Sequence, residues 1–246
     1  MKYIASVSFG KDSLAMLLLL IEKKYPLDGV VYYDTGMEFE SIYNIKDTVK
    51  EMLENIGISF YELHSDKPFE YWAFEHKTKS CKIGYGWCGG KCRWATSQKI
   101  RVIDGFSKKI NDDIIWYVGI AYDEKERYER LPKNKISPLY EWKMTEKDCL
   151  SYCYSNGYRW KEDNGIELYS ILDRVSCWCC SNKNKKELRN MYLYLPKYWD
   201  RLKQFQSKTK IPMKKYRKNG ITYGTVFELE EVFREEVENN DRKTIY

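Results

Sequence analysis

Met1 to Ser13 read M-K-Y-I-A-S-V-S-F-G-K-D-S. A short β-prone run, Tyr3 to Val7, leads into the polar turn Ser8-Phe9-Gly10-Lys11-Asp12-Ser13. An apolar stretch, Leu14 to Ile21, follows at once. Strand, polar turn and helix start in that order build an anion site. The first backbone N–H groups of a helix lack intrahelical partners, and the dipole favours negative charge there. Gly10 permits close backbone approach, Lys11 adds a point charge, and Ser8 and Ser13 bring hydroxyl donors. The spacing excludes a Walker A loop, which places four residues between its first glycine and G-K-[ST].

Outward from this turn, Leu14 to Lys24 carries the apolar stripe of a helix, broken by Pro26 and Gly29. Val30 to Tyr33 is a buried-type strand that ends at Asp34-Thr35-Gly36. Two strands joined through a helix imply a parallel pair, and ligands of open α/β sheets collect at the carboxyl ends of the strands. Asp34 is therefore expected at the same crevice as the Ser8–Ser13 turn. The alternation continues with a helix over Ile42 to Ile56, a strand over Ser59 to Leu63 and an aromatic helix over the sheet from Pro68 to His76. Next come a helix over Arg93 to Phe106 and a strand over Ile114 to Val118, ending at Gly119. This pattern predicts an α/β fold: an open, mostly parallel twisted sheet with helices on both faces.

Thr145-Glu146-Lys147-Asp148 has the form of a helix start, with Thr145 as N-cap. The helix carries Cys149 and Cys153 on one face, where buried small hydrophobes are expected. Glu187 to Arg201 reads as a helix broken at Pro196, and Val226 to Asn239 as a charged amphipathic helix. The expected organisation is a nucleotide-binding α/β domain over 1–140. A mostly helical, cysteine-bearing part over 141–246 packs on it.

The chain has 246 residues, with 42 basic and 36 acidic side chains and a net charge of +6. That mild excess suits anionic ligands without demonstrating a nucleic-acid partner. Six Lys/Arg residues between Lys208 and Lys218 form a candidate nucleic-acid contact, against the alternative of a solvated basic face. The run Leu14 to Ile21 is too short to span a bilayer, and a polar turn beginning at Ser8 leaves no room for a signal peptide. A soluble cytoplasmic protein is expected. Only two histidines, His64 and His76, are present, which argues against a His-based triad or metal site.

Eight cysteines in a reducing compartment favour metal or redox chemistry over disulfides. Cys81 to Cys92 read C-K-I-G-Y-G-W-C-G-G-K-C, a glycine-rich loop, and Cys177-Trp178-Cys179-Cys180 form a second cluster. Cys88 and Cys92 (C-x-x-x-C) with Cys177 and Cys180 (C-x-x-C) are the candidate metal ligands. Cys81 remains an alternative to Cys88, and Cys179 an alternative to Cys177 or a sulfur-carrying catalytic thiol. Four thiolates suit either a [4Fe–4S] cluster or a structural Zn²⁺, and spacing does not choose between them.

The Ser8–Ser13 turn resembles the S-G-G-K-D-S signature of the PP-loop ATP pyrophosphatase superfamily, with Phe9 in place of the first glycine. More narrowly, it is similar to the branch containing phosphoadenosine phosphosulfate (PAPS) reductases. Asp34-Thr35-Gly36-Met37-Glu38-Phe39 resembles the D-T-G-x-x-F region of that branch. Gly119 to Arg127 (G-I-A-Y-D-E-K-E-R) resembles G-[IL]-x-x-[DE]-[ES]-x-x-R, and Pro138-Leu139 with Trp142 resembles P-L-x-x-W. The resemblance implies an adenine nucleotide alpha-hydrolase-like fold and ATP with Mg²⁺ as cofactor. It assigns Ser8, Phe9, Gly10, Lys11, Asp12 and Ser13 to the phosphates, with Lys11 and Asp12 catalytic. Asp34, Thr35 and Gly36 would lie near the adenosine, Gly119 and Arg127 near the phosphates, and Asp123 or Glu124 near the metal. It also favours iron–sulfur over zinc.

The expected activity is adenylation of a substrate with release of pyrophosphate, followed by sulfur transfer. The acceptor would be tRNA or DNA, and the sulfur donor a cysteine desulfurase or equivalent. In one respect the chain departs from the family. PAPS reductases carry a nucleophilic cysteine in a late E-C-G-[IL]-H motif, and no cysteine follows Cys180 here. A usual thioredoxin-linked PAPS reductase is therefore not expected. An iron–sulfur sulfonucleotide reductase lacking that cysteine, or a non-catalytic nucleotide-binding module of a modification or defence complex, remains as an alternative.

Overall fold

The structure, a computed structural model, describes residues 1–88, 92–218 and 220–244. Its central feature is a five-stranded, wholly parallel sheet in the order β3-β2-β1-β4-β5. The strands are β1 (Lys2–Val7), β2 (Gly29–Asp34), β3 (Ser59–His64), β4 (Ile114–Val118) and β5 (Lys135–Ile136). The chain leaves β1 outward on one side to β2 and β3, then returns to place β4 on the other side of β1. The topological switch point therefore falls between β1 and β4, where doubly wound sheets open a crevice at their carboxyl ends.

Between β1 and β2 runs α1 (Lys11–Glu22), and between β2 and β3 runs α2 (Glu40–Asn55). Helix α2 buries Ile42, Ile45, Val49 and Leu53, a stripe at helical spacing. On one face of the sheet, Ile4, Val31 and Trp116 pack with Ile103 and Phe106 of α3 (Thr96–Ser107). On the other, Lys46 of α2 reaches the Glu62 carboxylate at 3.3 Å. Helices thus cover both faces, as the sequence pattern predicts. After β4 come α4 (Lys125–Tyr128), α5 (Pro138–Glu141) and α6 (Glu146–Ser155). Helix α6 packs on α1 and begins with a reciprocal capping box between Thr145 and Asp148.

Two compact units divide the chain: residues 1–65 with 99–167, and residues 66–98 with 168–246. The expected boundary after residue 140 does not match this division. Helix α6 stays with the sheet because its buried face is α1, and 66–98 group with the C-terminal part. The aromatic helix expected over Pro68 to His76 is present from residue 69 to 75, with π-helical geometry over Tyr71–Glu75. At His76 the backbone turns extended, and Lys77 bridges to Ile83.

The second unit also contains α7 (Leu168–Ile171), α8 (Lys185–Tyr194), α9 (Pro196–Ser207) and α10 (Val226–Thr244). A hairpin of β6 (Tyr216–Lys218) and β7 (Ile221–Tyr223) precedes α10. The break between α8 and α9 is set by Pro196 at the first position of α9, where its missing N–H costs nothing. Tyr198, Trp199, Leu202 and Phe205 of α9 are buried in this unit's core, as is Phe233 of α10. Among the described residues, no helix is long and apolar enough to cross a membrane.

Candidate functional site

The Ser8–Ser13 turn leaves the end of β1 and opens α1, so it sits at the switch point of the sheet. Its conformation is held by its own polar groups. The Ser13 hydroxyl accepts from the Ser8 N–H at 3.1 Å, lies 3.1 Å from the Ser8 hydroxyl and donates to the Gly10 carbonyl at 3.1 Å. Gly10 is the N-cap of α1, with no side chain to block the helix end. Phe9 has φ 57, the left-handed region that glycine enters freely and a bulky side chain does not. This conformation accounts for the glycine at the matching position of the resembled signature. Phe9 compensates by burying its ring completely, 5.2 Å from the ring of Tyr32, while the Trp160 indole N–H donates to its carbonyl at 2.9 Å.

Gly119 follows β4 directly. A Cβ there would stand 2.8 Å from both Cα and N of Ser13, so the strand end and the loop pass at a distance that only glycine allows. Lys11 is almost fully buried and its ammonium pairs with Asp12 at 2.9 Å and with Glu146 at 2.5 Å. Burial alone would lower the Lys11 pKa, but the two carboxylates outweigh it and hold it above the ordinary lysine value. Asp12 moves upward too, because its burial, reinforced by Glu146 and Glu124, exceeds the help from Lys11. The two directions agree physically: one ammonium shared between two acids stays charged, and Asp12 is only partly compensated.

Of the other expected residues, Asp34 accepts from the Gly36 N–H at 2.8 Å and the Tyr43 hydroxyl at 2.9 Å. Gly36 has φ 72, and Thr35 donates to Glu38 at 2.7 Å. The segment is a closed turn at the end of β2, and the Tyr32 hydroxyl of that strand is buried without a hydrogen-bond partner among the described residues. Arg127 is paired with Glu124 and is more than half exposed. Asp123 accepts from the Glu146 N–H at 3.1 Å. Cys149 and Cys153 are fully buried, as expected, and burial first pushes the Cys153 thiol up to about 12. The protonated Cys153 donates to the Lys11 carbonyl at 3.3 Å.

The second group of functional side chains lies in the other unit. Cys88, Cys92, Cys177, Cys179 and Cys180 line one cavity of about 220 Å³, and Cys81 is exposed and absent from its wall. No disulfide joins any of the eight cysteines. Cys177 and Cys180 close a tight turn through a 3.0 Å bond from the Cys180 N–H to the Cys177 carbonyl. The Ser181 hydroxyl ties that turn to the Cys88 carbonyl. Cys92 stands before the first turn of α3 and its sulfur accepts from the Ala95 N–H at 3.3 Å. The Cys88 thiol hydrogen-bonds Cys92; this bond first, then the N–H groups of Ala95, Trp94 and Thr96, lowers Cys92 well below the ordinary thiol value. The same bond and burial push Cys88 upward. Cys179 is 1% exposed. Residues 89–91 of this loop lie outside the described residues.

Among the described residues, no group of three or more His, Cys, Asp or Glu side chains is close enough to hold a metal ion. The five thiols share a cavity without converging on one point. The donor set still fits a thiophilic centre. The indole N–H of Trp94, a residue of the cavity wall, is buried with no hydrogen-bond partner among the described residues. Lys183 is 2% exposed and also lines the wall. An orphan donor and a buried cation beside thiols match an anionic, sulfur-rich occupant.

Sequence reasoning passed over Glu146 as a site residue, and it missed Trp160 and Glu162. Glu162 is buried and accepts from the Ser41 N–H at 3.1 Å in the first turn of α2. All three lie over a hundred residues from their partners, and a single sequence carries no signal for such pairings.

A parallel sheet whose switch point opens on a strand–turn–helix anion loop is the architecture of nucleotide-binding α/β proteins. The model of the phosphoadenosine phosphosulfate reductase domain matches residues 2–183, and the chain belongs to that family. The matched span takes in the Ser8–Ser13 loop and all eight cysteines. A curated relative, the uncharacterized protein MJ0066 of Methanocaldococcus jannaschii, is 24% identical over 222 residues, covering 80% of this chain and 40% of its own length. This chain thus spans well under half of that relative. A solved structure, the U34-tRNA thiolase NcsA from Methanococcus maripaludis with its [4Fe-4S] cluster, matches 97% of this chain and 72% of that one. Its identity of 16% and TM-score of 0.43 are too low to carry an inference about this chain's chemistry.

Proposed function

We propose that the chain is a PP-loop enzyme that binds ATP or a related adenine nucleotide, adenylates a substrate with release of pyrophosphate, and transfers sulfur to it. The observation that carries this reading is the Ser8–Ser13 loop at the switch point of a PAPS reductase-family sheet, with Gly119 against Ser13 and a buried Lys11. The N-terminus of α1 and the Lys11 ammonium bind the β- and γ-phosphates, and Ser8 and Ser13 orient them. Asp12 helps to hold Mg²⁺, with Asp123 or Glu124 near it. Arg127 neutralises charge at the phosphates, and Asp34, Thr35 and Gly36 take the adenosine. A substrate oxygen attacks the α-phosphorus, the α–β bridging bond breaks, and pyrophosphate leaves with its charge stabilised by these donors. A sulfur nucleophile then displaces AMP from the adenylated carbon.

Cys88, Cys92, Cys177 and Cys180 are the residues that would hold a [4Fe–4S] cluster, with structural Zn²⁺ as the alternative. Such a cluster, when bound, supplies thiophilic iron and redox capacity, whereas zinc supplies only a structural tie. Cys179, in the same cavity, is the remaining thiol for carrying sulfur. The exposed Lys208, Lys210, Lys215 and Arg217 support a tRNA or DNA substrate, and a cysteine desulfurase is a suitable sulfur donor.

A second reading, an iron–sulfur sulfonucleotide reductase, is favoured by the family match itself. Anaerobic purification, iron and acid-labile sulfide determination, and pyrophosphate release from ATP with candidate RNA or DNA separate the two. The first reading expects iron, sulfide and RNA- or DNA-dependent pyrophosphate, all pyrophosphate being lost in Lys11→Ala. Tight binding of a sulfonucleotide with no pyrophosphate from any mixture would shift the assignment to the reductase.

A further inference from the structure

Lys11 is shared by two carboxylates, and one of them arrives from far along the chain. Its ammonium is 2.9 Å from Asp12 and 2.5 Å from Glu146, the first residue of α6. The helix that delivers Glu146 is fixed at three points. Its capping box sets the direction of the first turn, its first N–H donates to Asp123 at 3.1 Å, and Cys153 donates to the Lys11 carbonyl at 3.3 Å. The Lys11 side chain is 9% exposed and that of Glu146 is 44% exposed. Of the pair, Glu146 is the side chain open to solvent, so its carboxylate is the one an incoming anion can displace from the lysine.

Charge makes this contact consequential. Asp12 and Glu146 share the one buried ammonium, Glu124 adds its negative charge to the surroundings of Asp12, and Asp123 accepts from the Glu146 N–H while Arg127 is already paired with Glu124. A polyphosphate that takes Lys11 must displace a carboxylate and then sit among acids that have lost their partner. At separations of a few ångströms such repulsions weaken the binding of a bare polyanion. A divalent cation arriving with the phosphates removes the conflict, because displaced carboxylates and phosphate oxygens can share it.

We propose that Glu146 is the specificity-determining carboxylate of this loop. It occupies the phosphate position on Lys11 and admits a nucleoside triphosphate as its magnesium complex in preference to the bare anion. The inference rests on the assignment of the Ser8–Ser13 loop to nucleotide phosphates.

The test is calorimetric titration of ATP, in excess MgCl₂ and in EDTA, into the unaltered protein and the variants Glu146→Gln, Glu146→Asp and Lys11→Met. Circular dichroism checks that each variant is folded. Glu146→Gln should bind metal-free ATP about tenfold more tightly than the unaltered protein, with a much smaller change for the magnesium complex. Glu146→Asp, which keeps the charge, should keep the preference for magnesium. Equal metal-free affinities in the unaltered protein and Glu146→Gln overturn the role of Glu146 and leave the nucleotide site standing. Unchanged binding in Lys11→Met overturns the loop assignment itself.

Discussion

Gly119 and Ser13 approach so closely that a methyl group on the glycine would meet Ser13 Cα and N at 2.8 Å. Both atoms are backbone, so neither can swing aside as a side-chain tip would. Gly119→Ala must therefore move either the end of β4 or the first turn of α1. Overpacking of this kind costs about 1–3 kcal/mol. The expected outcome is a modest fall in Tm and a loss of ATP affinity of about tenfold or more, since the displaced backbone belongs to the loop proposed to face the phosphates. Calorimetry and thermal melts of the same sample separate the two effects. Intact nucleotide affinity in a folded Gly119→Ala protein would show that the loop does not need this close contact.

Phe9 offers a less intuitive result. Substituting glycine restores the residue of the resembled signature and relieves a left-handed conformation that costs an ordinary residue about 1–2 kcal/mol. It also removes a fully buried aromatic ring packed on Tyr32 and Phe60, a loss of about 3–5 kcal/mol. The second term is larger, so Phe9→Gly should be destabilising, by about 2 kcal/mol, despite matching the family. Trp160→Phe leaves the buried Phe9 carbonyl without its indole donor and should cost about 1–3 kcal/mol. Urea denaturation reads both, and a stabilised Phe9→Gly protein would contradict this weighing.

The start of α6 should respond to acid. Asp148 accepts from the Thr145 hydroxyl at 2.5 Å and the Thr145 N–H at 3.0 Å, and these bonds hold its carboxyl below the usual 3.8. A depressed pKa in the folded state means that its contribution is present above about pH 4. It is lost as the pH falls through the folded value. Asp148→Asn should flatten that part of the acid-unfolding curve, and Thr145→Ala should lower stability by about 1 kcal/mol at neutral pH. Because Glu146 follows the cap directly, Thr145→Ala is also expected to alter ATP affinity, which a purely local cap would not.

The parts of this fold visible in the sequence are those governed by local rules. The β1–turn–α1 unit, the strands β2, β3 and β4, the Thr145 cap and the break at Pro196 all announce themselves through periodicity, turn residues or capping chemistry. The aromatic pattern of Pro68 to His76 is likewise legible as a helix, which the structure carries from residue 69 to 75, with Phe69 and Phe74 packed on each other and on Phe205. Other features have a different origin. The division of the chain into two discontinuous units depends on which helix α6 packs against, and its short apolar face does not name a partner. Glu146 and Trp160 belong to the same category: their partners, Lys11 and Phe9, are chosen by topology rather than by neighbouring residues.

The cysteine cavity supports a sharper prediction than the sequence allowed. Spacing left Cys81 and Cys88 as equal candidates, but only Cys88 lines the cavity with Cys92, Cys177, Cys179 and Cys180. Cys81 is exposed, and Cys149 and Cys153 are buried in the other unit, the Cys153 thiol donating to the Lys11 carbonyl of α1. Serine substitution replaces a soft sulfur donor by a hard, protonated hydroxyl and weakens binding of a thiophilic metal. Cys88→Ser, Cys92→Ser, Cys177→Ser and Cys180→Ser should each lose most of the bound metal. Cys81→Ser, Cys149→Ser and Cys153→Ser should retain it, and retention in Cys179→Ser would mark Cys179 as the spare thiol. Metal and acid-labile sulfide measured on anaerobically purified protein give the answer for each variant. Should Cys81→Ser strip the metal while Cys88→Ser keeps it, the ligand set drawn from this cavity is wrong.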